Sequence, residues 1–139
     1  MQIAAGGIMV PEAVEAARLL HAEGVAANVI NVTSAGRLYR TLRSAREDQL
    51  RDARRSADLG HLAILLPPEE RRAPLVTVQD GASHGLAFLG SVYGAPTVPL
   101  GMDKWGQSGS RTSLYEYAGI DVGEIINAAM LALELREAS

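Results

Sequence analysis

Gln2-Ile3-Ala4-Ala5-Gly6-Gly7, then Pro11-Glu12-Ala13-Val14-Glu15-Ala16-Ala17-Arg18-Leu19-Leu20-His21-Ala22-Glu23-Gly24, then Val25-Ala26-Ala27-Asn28-Val29-Ile30-Asn31-Val32 decide the fold class. Residues 2–5 form a short apolar run broken by a glycine pair, as a buried strand does. Pro11 suits the first turn of a helix, where a missing N–H costs nothing. Val14, Ala17, Leu20 and His21 follow at helical spacing, and Gly24 is the stop. Val25, Val29, Ile30 and Val32 then supply β-branched strand formers. Strand, helix, strand is the unit that pairs two strands in parallel through a crossover.

The rest of the chain repeats the alternation. Residues 37–57 are polar and rich in Arg and Ala, with Leu38, Leu42 and Leu50 as apolar positions, which predicts a lightly buried helix. Pro67-Pro68 ends any helix at Leu62–Leu66, and Glu69–Arg72 reads as a surface turn. Leu75-Val76-Thr77-Val78-Gln79 is the clearest strand, bounded by Pro74 and Asp80-Gly81. A short helix is expected from about Gly85 to Tyr93, then an edge strand at Thr97–Leu100 flanked by Pro96 and Pro99. After a Gly-rich loop, Gly101 to Gly109, a brief helix is expected at Thr112–Ala118. Asp121, with Glu124 three residues on, opens the last helix as a capping box, and that helix is expected to run through Leu135. The pattern predicts an α/β sandwich around a mostly parallel sheet.

Composition narrows the function classes. The 139 residues are 47% apolar and 21% charged, a globular balance for one domain spanning 1–139. A formal charge of −3 gives no reason to expect nucleic acid or an anionic membrane as partner. Seven of the thirteen basic residues fall between Arg37 and Arg55, interleaved with acids, and read as a solvated helix face. The chain has no cysteine, which excludes disulfides and thiolate metal sites and suits a reducing cytoplasm. No apolar run reaches the roughly 18 residues that span a bilayer. The chain enters its first strand without a leader, and the expectation is of a domain cut from a longer polypeptide.

Catalytic signatures are missing. No G-x-G-x-x-G follows the first strand, no Walker loop is present, and His21, His61 and His84 are scattered rather than set at metal spacing. Gly106-Gln107-Ser108-Gly109-Ser110 has serine where a nucleophile elbow needs its last glycine. A hydrolase reading would use Ser108 or Ser110 as nucleophile, His84 as base and Asp80 or Asp103 as the orienting carboxylate. The loop Gly101–Ser110 is a second candidate. It holds the only tryptophan, Trp105, and precedes a helix whose free N–H groups suit a small anion, which would make the chain a standalone α/β binding module. The alternative is structural: the glycines permit a sharp connection, and Trp105 packs on the sheet edge or a neighbouring chain. The candidate ligand or interface residues are therefore His84, Asp103, Trp105, Gly106, Gln107, Ser108 and Ser110.

Ile3-Ala4-Ala5-Gly6-Gly7, the helix Ala13–Leu20 and the run Gly24–Ser34 together resemble the opening of transketolase carboxy-terminal domains. Pro99-Leu100-Gly101-Met102-Asp103-Lys104-Trp105-Gly106-Gln107-Ser108-Gly109 resembles that family's G-x-x-x-[FW]-G-x-S loop, followed in order by Leu114-Tyr115-Glu116-Tyr117, Gly119-Ile120-Asp121 and a terminal helix. The Arg-rich insertion before Val76 is more similar to the homodimeric first component of pyruvate dehydrogenase than to transketolase. The resemblance implies a three-layer α/β domain with a mixed, mostly parallel sheet of about five strands and helices on both faces. It also implies a parent enzyme that uses thiamine diphosphate and Mg²⁺ on a 2-oxo acid or ketose. That family holds Mg²⁺ with G-D-G and a following Asn. Here Gln79 precedes Asp80-Gly81, and the next asparagine, Asn127, is far along the chain. The resemblance thus assigns no catalytic, cofactor or metal residue to this chain, and Glu12 is not the cofactor-activating glutamate. The implied role is assembly, with the parent's other domains and a second copy as partners.

Overall fold

The computed structural model describes residues 1–103 and 111–139. Its elements are β1 (Gln2–Gly6), α1 (Val10–Ala22), β2 (Asn28–Val32), α2 (Ala35–Arg51), α3 (Leu62–Leu65), β3 (Leu75–Val78), β4 (Thr97–Leu100), α4 (Arg111–Ala118) and α5 (Val122–Ala138). The four strands pair in the order β2-β1-β3-β4, all parallel, with Ile3 opposite Val29 and Val76, and Val76 opposite Val98. The mixed sheet of about five strands is thereby corrected: the described residues contribute four strands and no antiparallel pair.

Alternation along the central strands sends side chains to two cores. Ile3, Ala5, Val76 and Val78 pack with Met9, Ala13, Ala16, Leu20, Ile125 and Ala129 under α1 and α5. Ala4, Ile30, Val32 and Leu75 pack with Leu38, Leu42, Leu62, Leu86 and Leu89 on the other face, under α2 and α3. Helices on both faces of a buried parallel sheet make the expected three layers.

Local chemistry sets the boundaries. α1 ends in a Schellman cap: Gly24 at φ 83° donates to the His21 carbonyl and Val25 to that of Leu20. This cap occupies Val25, so β2 begins at Asn28, three residues later than the strand formers suggest. Asp121 caps α5 by accepting from the Glu124 N–H at 2.8 Å. The Glu124 carboxylate instead accepts from Asn127 at 3.4 Å. The Arg-rich helix stops at Arg51 because Asp52 turns extended, not at residue 57. The helix expected over 85–93 is a pair of 3-10 turns, Ser83–Gly85 and Ala87–Val92. Gly85, Gly90 and Ser91 weaken an α-helix there, and Gly90 packs so closely on Thr97 that a side chain would collide with it.

Candidate functional site

In open parallel sheets, ligands bind at the carboxyl ends of the strands where the strand order reverses. Here that point lies between β1 and β3, since the chain moves from β1 outward to β2 and returns past β1 to β3. Gly6-Gly7 leaves β1, Gln79-Asp80-Gly81 leaves β3, and Gly101-Met102-Asp103 leaves β4.

The crevice is filled from within. The Gln79 side-chain amide donates to the Ala82 carbonyl at 2.6 Å and so turns back over the strand ends. A Cβ on Gly6 would stand 3.3 Å from the Gln79 Cβ, and one on Gly85 would run into the Gln79 amide. Two glycines therefore make room for one glutamine, where a ligand's phosphate would otherwise approach backbone.

The next pair of loops is locked together. Met102 N–H donates to the Gly81 carbonyl at 2.6 Å, and Ser83 N–H donates to Asp103 Oδ1 at 2.9 Å. Gly101 is buried against the backbone of Gly81 and Ser83, with no space for a Cβ. Hydrogen bonds from the Ser83 side chain and backbone hold the Asp103 carboxyl below the usual range, with nearby His84 adding to the effect. Beside these loops is an open, largely apolar hollow of about 360 Å³, lined by Ile8, Asp80, Met102, Leu114 and Tyr115.

Of the sequence candidates, the structure brings His84 and Asp103 near each other through Ser83. It does not join them into a catalytic pair. His84 is exposed, and no hydrogen bond among the described residues links it to Asp80 or Asp103. Trp105, Gly106, Gln107, Ser108 and Ser110 lie outside the described residues, and with them the anion-loop and serine-nucleophile readings. Among the described residues no three His, Asp or Glu side chains converge as a metal site would require. Asp80 contributes one exposed carboxylate, and Asn127 is spent on Glu124 within α5. These described residues do not fit a Mg²⁺–diphosphate group. No helix among the described residues is long and apolar enough to cross a membrane.

Sequence reasoning missed Gln79 and Ser83 as the residues that close this end of the sheet. For Gln79 alone a signal was present: glutamine stands where a Gly-Asp-Gly turn would leave the backbone bare.

Strand order and a self-filled crevice define a doubly wound α/β domain whose usual binding point is closed by its own side chains. The chain belongs to the transketolase-like TK C-terminal domain family, which matches residues 1–121. It is 32% identical over 133 residues to the pyruvate dehydrogenase E1 component of Mycobacterium tuberculosis, covering 95% of this chain and 14% of that protein. The counterpart from Mycolicibacterium smegmatis is 30% identical over the same shares. Among solved structures, a split-gene transketolase described as an inactive beta4 tetramer superposes with a TM-score of 0.63 at 27% identity, over 97% of this chain and 39% of that one. The chain thus spans about one seventh of the length of the curated relatives it matches.

Proposed function

We propose that the chain is the carboxy-terminal assembly domain, residues 1–139, of a thiamine-diphosphate-dependent enzyme of the pyruvate dehydrogenase first-component or transketolase type. In this reading it contributes no catalytic, cofactor-binding or metal-binding residue. Its partners are the other domains of the enzyme and a second copy, in the cytoplasm. The observation that carries the proposal is Gln79, whose side chain occupies the crevice that a ligand would need. The loop from Asp103 through Trp105, Gly106, Gln107, Ser108 and Ser110, with His84 beside it, then serves as an interface segment. The membership of the family and the small share of each relative that the chain covers support the same assignment.

Calorimetric titration with thiamine diphosphate and Mg²⁺ tests it, first on this chain and then on its mixture with the polypeptide carrying the parent's remaining domains. The expected result is no Mg²⁺-dependent heat from the chain alone, and binding with pyruvate or ketose turnover in the mixture. Mg²⁺-dependent binding by the chain alone would overturn the proposal.

A further inference from the structure

A separate groove of about 850 Å³ lies between the carboxyl end of edge strand β2, helix α2 and the turn at 58–61. That volume is within the range of about 300–1,000 Å³ that small-molecule sites occupy. Arg37, Arg40 and His61 line it, all exposed. The other arginines of α2 are engaged. Arg43 pairs with Glu47, Arg51 with Asp48, and Arg46 donates to the Ser91 and Val92 carbonyls. Arg37 and Arg40 alone have guanidinium groups with no acidic or carbonyl partner among the described residues of this helix.

Their placement is unfavourable without a counterion. Arg37 sits in the first turn of α2, and that turn contains no acid. Arg40 folds back over the same turn, its Nη1 3.4 Å from where a Cβ on Gly36 would be. Two cations thus crowd the positive end of a helix dipole, and an anion relieves both repulsions at once. The remaining lining mixes uncharged polar groups, among them Ser34 and Ser44, with the acids Asp48 and Asp58 and with apolar side chains such as Leu38 and Leu65. Ser34 makes no capping bond to α2. The polar groups match hydroxyls, and the acids disfavour a polyanion filling the whole groove.

We propose that this groove binds a small phosphorylated molecule bearing hydroxyls, with its phosphate on Arg37 and Arg40 and its hydroxyls toward Ser44 and Asp58. The site is independent of the assembly role. Backbone-amide NMR of the full chain at constant ionic strength tests it with glucose 6-phosphate, glucose and inorganic phosphate as probes. Glucose 6-phosphate is expected to shift the amides of residues 33–38 and 60–61 saturably. Inorganic phosphate should shift the same amides about ten-fold more weakly, for want of the hydroxyl contacts, and glucose should leave them in place. Arg37→Ala with Arg40→Ala should weaken binding at least about ten-fold, as loss of charge-assisted bonds requires, with the rest of the spectrum unchanged because both side chains are exposed. Absence of saturable shifts, equal shifts with glucose, equal affinity for inorganic phosphate, or unaltered binding by the double variant would each overturn the proposal. Thiamine diphosphate bound through this groove would be lost in the double variant and indifferent to Mg²⁺, which separates it from a cofactor site.

Discussion

Helices α2 and α5 are both 17 residues long and cover opposite faces of one sheet, yet their surfaces are built on different plans. α2 buries a narrow stripe, Leu38, Leu42 and Ala45, leaves Tyr39 and Leu50 exposed at well-separated positions, and gives most of its remaining circumference to five arginines, three acids or amides and small hydroxyls. α5 buries Ile125, Ala128, Ala129 and Ala132 and still leaves Met130, Leu131 and Leu135 between 43% and 46% exposed. A helix apolar nearly all round is one that other protein surrounds. α2 is thus a mainly charged, solvent-facing surface with two separate exposed apolar side chains, whereas α5 groups its exposed apolar side chains within six residues, Met130 to Leu135. This difference agrees with a domain that meets its neighbours through α5 and keeps α2 free.

The comparison can be broken or sharpened by substitution. The largest effect is expected on the inner side of α5: Ile125→Ala empties a fully buried position and should cost about 3 kcal/mol in urea-monitored stability. A loss below about 1 kcal/mol would mean that α5 is not anchored as described. On the α2 side, the anchor is polar. Arg46 donates to Gln49 at 2.8 Å, to the Ser91 carbonyl at 3.1 Å and to the Val92 carbonyl at 2.7 Å. Arg46→Ala should cost about 2 kcal/mol, because carbonyls at the end of the 3-10 turn lose a charged donor. Arg43→Ala, whose pair with Glu47 is largely exposed, should cost no more than about 0.5 kcal/mol.

The outer side of α5 should behave in the opposite sense. Met130, Leu131 and Leu135 replaced together by Gln should change monomer stability by no more than about 0.5 kcal/mol, and should reduce self-association in sedimentation. Unchanged association would remove α5 from the interface. Thr77→Val is expected to be neutral or to stabilise by up to about 1 kcal/mol, since Thr77 Oγ1 is buried without a hydrogen-bond partner among the described residues. The smallest effect belongs to Asp103. Its pKa is lowered in the fold, so the contribution is present above the ordinary value of 3.8 and is lost as pH falls through the lowered one. Asp103→Asn should lower stability slightly near neutrality and flatten the acid limb over that window, so that the two profiles converge at lower pH.

Much of the architecture was legible because it rests on local signals. The Gly24 stop, the Asp121 cap and the run Leu75–Val78 each act within a few residues, and all three stand where the sequence places them. The misreadings occurred where a distant contact decided the outcome. Gly85–Tyr93 has helical apolar spacing, but Gly90 must admit Thr97 of the neighbouring strand, and the segment winds into 3-10 turns. The candidate site was legible only in outline. His84 and Asp103 were picked out singly, while Ser83, which joins their loops across twenty residues, carries no motif of its own.

By itself the sequence determined the alternation of strands and helices, the placement of the caps and the family to which the chain belongs. These follow from periodicity, turn chemistry and ordered motifs, which are properties of neighbours along the chain. Tertiary structure alone decided that Gln79 closes the crevice between β1 and β3. It likewise decided that two of α2's arginines have no partner among the described residues beside the β2 edge, and that α5 keeps an apolar face uncovered by them. The physical reason is the same in each case. Which polar groups are satisfied, and which apolar groups are covered, depends on elements that meet only after the chain has folded.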